Sequence, residues 1–325
     1  MKFLKKSLRI VLVCLLGIAV LSAGAVLISY AVYHGSLNRM DIYANPVREA
    51  LPQTVVFGIV EKHFERGHGD GITPKALIIG YDGARADMPP LTAEDENSAI
   101  QALVNDGGAL YHMYCGGDFP RWQKTSTSPG WTNLLTGRWA RERDGSGHGV
   151  NDNGVVKAPD APPLLFNALF DKALVGQAAF VVSWDEYWSF PRSIWYHDKN
   201  DADAKEHNIH WVNLAYDGDI VLFEAGLAEI QNPDNDFIMV TLDACDYAGH
   251  GGGFGGYNQG YADAFVNSER YAYDLIQAVK ARPTYAQEDW LIIIASDHGG
   301  IYKWHGLQLI QTRQIFMAAN RDFNL

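Results

Sequence analysis

Two stretches near the C-terminal end, Phe237–Leu242 and Trp290–Ala295, are unbroken runs of apolar residues. Strands buried on both faces of a parallel sheet read this way, whereas a half-exposed strand alternates. Four further strands are expected at Lys75–Asp82, Leu110–Tyr114, Ala178–Ser183 and Gln314–Ala319. Between them, apolar residues recur at helical spacing. Helices are predicted over Ala93–Asn105, over Trp131–Trp139 entered through Pro129-Gly130, over Leu164–Leu174 opened by Pro162-Pro163, and over Asp217–Ile230. The longest is Tyr257–Arg282, which gathers Tyr261, Phe265, Ala272, Leu275 and Val279 on one face and is closed by Pro283. Strands and helices alternate without an internal repeat. The expected fold is therefore α/β, a doubly wound, mainly parallel sheet flanked by helices.

The N-terminus follows a different pattern. Ile10–Tyr33 is a run of 24 residues without a charge, about 36 Å as a helix, which is enough to cross a bilayer core with some tilt. Lys2, Lys5, Lys6 and Arg9 precede it, predicting a cytoplasmic stub at 1–9, a transmembrane helix at 10–33 and an extracytoplasmic body. A cleaved signal peptide is the competing reading, since Ala23-Gly24-Ala25 resembles a small-residue cleavage site. The apolar run continues past that point, which favours an uncleaved signal-anchor. Cys14 lies too early in the run for a lipoprotein site. Residues 34–74 read as a juxtamembrane stalk holding two elements of undecided type, and 75–325 as the functional domain.

Composition narrows the function. At 47% hydrophobic and 20% charged, the 325-residue chain can form a sizeable core. Its cysteines, Cys14, Cys115 and Cys245, are too few for a disulfide scaffold or a thiolate-rich zinc site. Residues 1–33 hold four basic and no acidic groups, leaving 22 basic against 38 acidic, a net −16, on the remainder. Nucleic-acid binding is not expected of so acidic a body, because phosphate contacts need Lys and Arg.

Candidate chemistry sits where the two unbroken runs end. Asp246-Tyr-Ala-Gly-His250 follows the first, and Ser296-Asp297-His298-Gly299-Gly300 the second. Ligands of open α/β sheets bind at the carboxyl ends of the strands, and paired carboxylates and imidazoles there suit a divalent metal. One Asp–His pair alone would more simply be a hydrogen-bonded turn; two pairs, each beside glycine, argue for a site. The glycines from Gly249 to Gly256 lack the acidic partner of a dinucleotide fingerprint and read as a loop beside that site. The aromatic, polar stretch Trp184–Trp211 reads as an insertion, either packed or lining a pocket. Thr125-Ser126-Thr127-Ser128-Pro129-Gly130 places four hydroxyls before a helix, where N–H groups and the dipole favour an anion.

These segments together resemble the alkaline phosphatase superfamily, in its nucleotide pyrophosphatase/type I phosphodiesterase branch. A strand ends in Asp82-Gly83-Ala84-Arg85, matching Asp-Gly-x-Arg. Thr127-Ser128-Pro129 through Thr136-Gly137 matches the nucleophile segment, and His148-Gly149 to Asn153 matches His-Gly-x-x-x-Asn. Asp246 to His250 and Ser296 to Gly299 complete the order. A sulfatase's formylglycine signature is absent, because no arginine follows Pro129 at the required spacing. There is also no room for the inserted domain of the phosphoglycerate mutase branch.

The resemblance implies two divalent ions, Zn²⁺ or alternatively Mn²⁺, about 4 Å apart. Asp246, His250 and a later histidine, assigned to His305, would hold one. Asp82, Thr127, Asp297 and His298 would hold the other. Thr127 would be the nucleophile, and Asn153 would hydrogen-bond a phosphate oxygen beside the Ser128 N–H. Related chains usually continue with another helix and strand past the point reached by Leu325, so a short form or a truncated C-terminus is expected. The expected activity is hydrolysis of phosphodiester or pyrophosphate bonds in a phosphate-ester small molecule, nucleotide or lipid head group, at the outer face of the cell membrane. The alternatives are transfer of a phosphorylated head group to a lipid or envelope polymer, and a non-enzymatic surface binding protein keeping the fold.

Overall fold

The computed structural model describes residues 15, 17, 20–25, 50–118, 120–153, 158, 160–184 and 208–325. The chain divides into two units, Met1–Glu49 and Ala50–Leu325. In the first, residues 20–25 are helical, and most of the predicted span 10–33 lies outside the described residues. No helix among the described residues is long and apolar enough to cross a membrane.

The second unit runs β1 (Leu51–Pro52), α1 (Val55–Glu65), β2 (Thr73–Tyr81), α2 (Ala99–Asn105) and β3 (Ala109–Tyr114). A small hairpin, β4 (Gly117–Asp118) and β5 (Arg121–Trp122), leads to α3 (Thr127–Thr136), α4 (Leu165–Asp171), β6 (Ala178–Val182) and β7 (Ile209–Asn213). Then come α5 (Asp219–Gln231), β8 (Phe237–Leu242), α6 (Ala244–Gly252), α7 (Gln259–Lys280), β9 (Glu288–Ser296), α8 (Ile310–Arg313) and β10 (Gln314–Ala319). Eight strands form one sheet in the order β1-β3-β10-β9-β2-β8-β6-β7. Neighbours pair in parallel except β10, which is antiparallel to both β3 and β9.

The unbroken apolar strands are explained by two cores. Along β2, Ala76 and Ile78 face a core shared with α1, α3 and α4, while Leu77, Ile79 and Tyr81 face one shared with α2, α5 and α7. The central strands are therefore covered on both sides, as a doubly wound sheet requires.

Several expectations need correction. The domain boundary expected at residue 75 lies at Ala50, because Val56, Ile59, Val60 and Phe64 of α1 are buried in the sheet's core. The segment read as a juxtamembrane stalk thus contributes a helix and an edge strand. The helix expected over 93–105 starts at Ala99, since Ser98 accepts the N–H of Gln101 as its cap and the preceding Asp95 carboxylate holds a turn at Asn97. The helix expected over 131–139 starts four residues earlier, so Thr127 lies in its first turn, not before it. Pro129 is accommodated there because first-turn N–H groups have no intrahelical acceptor. The body of the aromatic insertion, 185–207, lies outside the described residues; β7, at its far end, was not anticipated.

Candidate active site

Three central strands deliver the site. β9, β2 and β8 are neighbours, with Tyr81 of β2 paired to Ser296 of β9 on one side and to Leu242 of β8 on the other. The next residue on each strand is an aspartate: Asp297, Asp82 and Asp243. The register therefore aligns three carboxylates at the carboxyl edge of the sheet.

Around Asp82 and Asp297 the environment is dry. Asp82 is 4% exposed, and Asp297 and His298 are fully buried. Four contacts orient them. Trp131 Nε1 donates to Asp82 Oδ2 at 3.2 Å, and the Gly83 N–H donates to Asp297 Oδ1 at 3.0 Å. The His298 N–H donates to the same Oδ1 at 2.8 Å, and His298 Nδ1 lies 2.9 Å from its acceptor, the Gly299 carbonyl. That last contact places the ring proton on Nδ1 and leaves the Nε2 lone pair facing the carboxylates. Gly83 has φ +68°, a left-handed conformation that points its N–H at Asp297 and that a side chain would strain.

The distances around His298 Nε2 are informative. Asp297 Oδ2 lies at 3.4 Å, Asp82 Oδ1 at 3.5 Å and Thr127 Oγ1 at 3.3 Å. Four ligands about 2.0–2.1 Å from a tetrahedral ion stand about 3.3–3.4 Å from one another. Asp82 Oδ1 and Asp297 Oδ2 are also buried without any hydrogen-bond partner, a costly state for carboxylate oxygens that a shared cation would relieve. The residues fit a divalent ion.

The second cluster lies nearer solvent. The structure corrects the reading of Asp246 and His250 as turn residues: both lie on α6, four apart and so on one helix face. His305 approaches from the segment after β9. Asp246 Oδ2 is 3.4 Å and Oδ1 3.8 Å from His250 and His305 Nε2 respectively, and the two Nε2 atoms are 3.0 Å apart. His250 Nδ1 donates to the Lys303 carbonyl at 2.9 Å, again freeing Nε2. Asp246 Oδ1 has no hydrogen-bond partner. The ligating atoms of each triad, Asp82/Asp297/His298 and Asp246/His250/His305, lie within 4.8 Å of one another.

Burial sets the electrostatics. It pushes the Asp82 and Asp297 carboxyls well above the usual range, reinforced at Asp82 by Asp297 and Asp246. Burial also lowers His298 to about 4 and His305 to about 3, so both rings are neutral and available as ligands. His250 is raised instead, chiefly by its hydrogen bond to Asp246.

Among the four hydroxyls of 125–128, the structure separates the roles. Thr125 Oγ1 donates to the Leu307 carbonyl at 2.8 Å, and the Ser126 and Ser128 hydroxyls are buried without partners. Thr127 Oγ1 alone among them meets an imidazole. The Ser128 N–H donates to Asn153 Oδ1 at 3.3 Å, so the amide oxygen stands where an anionic oxygen would sit. Every expected site residue thus converges at one edge of the sheet. Thr127, Asn153, Asp82, Asp246, His250 and His305 line a common cleft of about 390 Å³.

Sequence reasoning singled out neither Asp243, Tyr247 nor Gln53, and left Trp184 between packing and pocket lining. Asp243, Tyr247 and Trp184 also line the cleft; the position of Asp243 at the end of an unbroken strand was the available signal. Gln53 was hidden in the supposed stalk. Its Nε2 donates to the Asp297 carbonyl at 3.0 Å and its Oε1 accepts from Asn133 Nδ2 at 3.0 Å. His148, part of a matched motif, proves to be scaffold: Nε2 lies 2.8 Å from its acceptor, Asn133 Oδ1, and Nδ1 accepts the Val150 N–H.

A sheet of this kind, carrying paired carboxylate–imidazole triads beside a helix-borne hydroxyl, belongs to the enzymes that act on phosphoester bonds. More particularly, the type I phosphodiesterase/nucleotide pyrophosphatase family model matches residues 76–303. The chain belongs to that family. The fold is similar to yidJ of Bacteroides fragilis, a protein assigned as a sulfatase (TM-score 0.54, 13% identity, covering 79% of this chain and 69% of that one). Two further solved structures match with lower scores. Alkaline phosphatase from the Antarctic bacterium TAB5 gives TM-score 0.46 and 13% identity over 76% of this chain and 91% of that one. Murine ectonucleotide pyrophosphatase/phosphodiesterase 5 gives TM-score 0.46 and 17% identity over 69% and 57%. No curated protein matches this chain in sequence.

Proposed function

We propose that this chain is a membrane-anchored, extracytoplasmic phosphohydrolase that cleaves phosphodiester or pyrophosphate bonds through a phosphothreonine at Thr127. The observation that carries the reading is Thr127 Oγ1, placed in the first turn of a buried helix and 3.3 Å from His298 Nε2. Asp82, Asp297 and His298, with Thr127, would hold one divalent ion; Asp246, His250 and His305 would hold the other. Carboxylate and imidazole donors without thiolate suit Zn²⁺, with Mn²⁺ as the alternative. When bound, such ions neutralise developing charge and lower the pKa of a hydroxyl.

The chain's own residues do the rest. Thr127 Oγ1 attacks phosphorus and gives up its proton to solvent, while the bond from phosphorus to the leaving oxygen breaks and that oxygen takes a proton from solvent as the first product departs. The Ser128 N–H and the Asn153 amide hold a non-bridging oxygen at the positive end of α3. Water then attacks the phosphothreonine and releases the second product.

The charge around the cleft favours diesters. A phosphomonoester brings nearly two negative charges, a simple diester one. Arg85, the nearest cation in the motifs, is held by both oxygens of Asp87 at 2.9 and 2.6 Å. The metal-loaded enzyme should therefore hydrolyse bis(p-nitrophenyl) phosphate faster than p-nitrophenyl phosphate. Thr127→Ala should abolish both activities while keeping most of the bound metal, and Thr127→Ser should remain active. A monoester rate tenfold above the diester rate would move the site toward the phosphatases, and a dead Ser126→Ala beside a live Thr127→Ala would displace the nucleophile.

A further inference from the structure

Exposed aromatic residues flank, along the chain, the ligands that line this cleft. Among the described residues, the three most exposed large apolar side chains of the second unit are Tyr302 at 74%, Trp304 at 70% and Tyr257 at 69%, followed nearby by Tyr247 and Leu307. All five lie on the two segments that carry Asp246, His250 and His305. They are held rather than loose. Ile301 and Trp304 exchange backbone hydrogen bonds of 2.8 and 3.0 Å, closing a tight turn whose tip is Tyr302–Lys303. Phe254 donates its N–H to the Tyr302 carbonyl at 2.6 Å, tying the turn to the loop after α6. Tyr302 has φ +50°, a conformation disfavoured for a bulky residue and here imposed by those bonds. Tyr247 is stacked on Tyr216 with ring centroids 4.1 Å apart.

We infer that this rim is a docking surface for the bilayer, so that the cleft opens onto the membrane surface and takes phosphate esters presented there. Tyr and Trp combine an apolar ring with a polar tip, the residue chemistry of the membrane–water interface. A patch of this kind around a cleft marks an interaction site in a protein otherwise rich in surface charge. The chain's apolar run at 10–33 supplies a membrane tether. The 16 residues from 34 to 49 span at most about 55 Å when extended, against a radius of gyration of roughly 19 Å for a body of this size. Tethering at that range gives a high effective concentration, so a modest aromatic patch suffices. Net charge selects among membranes: a body at −16 is repelled by anionic lipid, so the expected partner surface is zwitterionic. The inference rests on the anchored reading above for proximity to the bilayer, but its test requires no turnover.

Full-length protein in phosphatidylcholine nanodiscs, in a Cys14→Ser background, would carry a nitrobenzoxadiazole dye at Tyr302→Cys or at Tyr285→Cys. Tyr285 is exposed and precedes β9, at the sheet edge opposite the cleft. Cys115 and Cys245 are buried and leave the labelling selective. The probe at 302 should show blue-shifted emission and be quenched by acyl-chain doxyl lipid several-fold more strongly than the probe at 285. Adding Trp304→Gln and Tyr257→Ser should reduce that quenching. Water-like emission at 302 with no excess of lipid quenching overturns docking. So does shielding that follows protein concentration instead of lipid, which would mean a second copy covers the face. A probe at Cys14 reports separately whether the anchor itself is inserted.

Discussion

Asp82 and Asp297 share a buried pocket whose dryness raises the affinity of both for a proton, reinforced at Asp82 by Asp297 and at Asp297 by Asp246. Their folded-state pKa values lie above the ordinary carboxylate value of 3.8, so the ion-free enzyme keeps protons there that an ion must displace. Metal affinity should consequently fall as pH is lowered, and binding should release protons. Calorimetric titration of Zn²⁺ into ion-free protein in buffers of different ionisation enthalpy would measure the release; heats independent of buffer would contradict it. Replacing Asp297 with Asn should weaken the buried site's affinity by orders of magnitude while sparing the Asp246 site. The sequence made these ligands legible because each follows a strand or lies in a short motif, so residue order alone placed them together. It could not reveal Gln53, Trp131 or Asn133. Their roles come from side-chain contacts across 244, 49 and 80 positions of chain, and no local pattern marks them.

Helix α3 lies close to the end of β9. A Cβ built on Gly130 would stand 2.7 Å from the Asp297 carbonyl and 2.9 Å from its Cβ, closer than such atoms approach. Gly130→Ala should therefore push α3, and Thr127 with it, away from Asp297. A destabilisation of about 1–3 kcal/mol is expected from the overpacking, with kcat reduced on the order of 100-fold by misplacement of Thr127. Urea denaturation and steady-state kinetics would check the two effects separately; wild-type kcat would mean the helix is not positioned by this contact. Helix and strand types were readable where apolar runs were long, as at Phe237–Leu242, whose bounds the structure matches. They were not readable where short polar stretches decide. The turn of α6 carries glycines at 249, 251 and 252, residues that disfavour a helix, yet its tertiary contacts hold it helical. In α1, the apolar face of Val56, Ile59, Val60 and Phe64 was present in the sequence, but the two elements of the 34–74 stretch could not be assigned a type or a place in the core from it.

At the scale of the molecule, the triads tie stability to bound ions. Six ligands come from segments spread between residues 82 and 305, so an ion held there favours the folded chain over the unfolded one. An ion at 1,000 times its dissociation constant adds about 4 kcal/mol. Chelation should lower the melting temperature by several degrees, with recovery on adding Zn²⁺, as measured by scanning calorimetry; an unchanged melting temperature would argue against bound ions in the folded enzyme. The fold class was readable from alternation of strands and helices, but the sheet's one reversed strand was not, because a buried antiparallel strand has the same unbroken pattern as a parallel one. That strand, β10, sits between β3 and β9 although it comes after every other strand in the chain. A ribosome therefore delivers this strand only after both of the strands it joins. Until residues 314–319 emerge, β1–β3 has no strand joining it to the rest, and β9 exposes a long apolar edge. Such late, non-local closure slows folding and exposes sticky edges. Nascent chains stalled before residue 314 should be protease-sensitive and should engage chaperones, whereas chains extended past it become resistant.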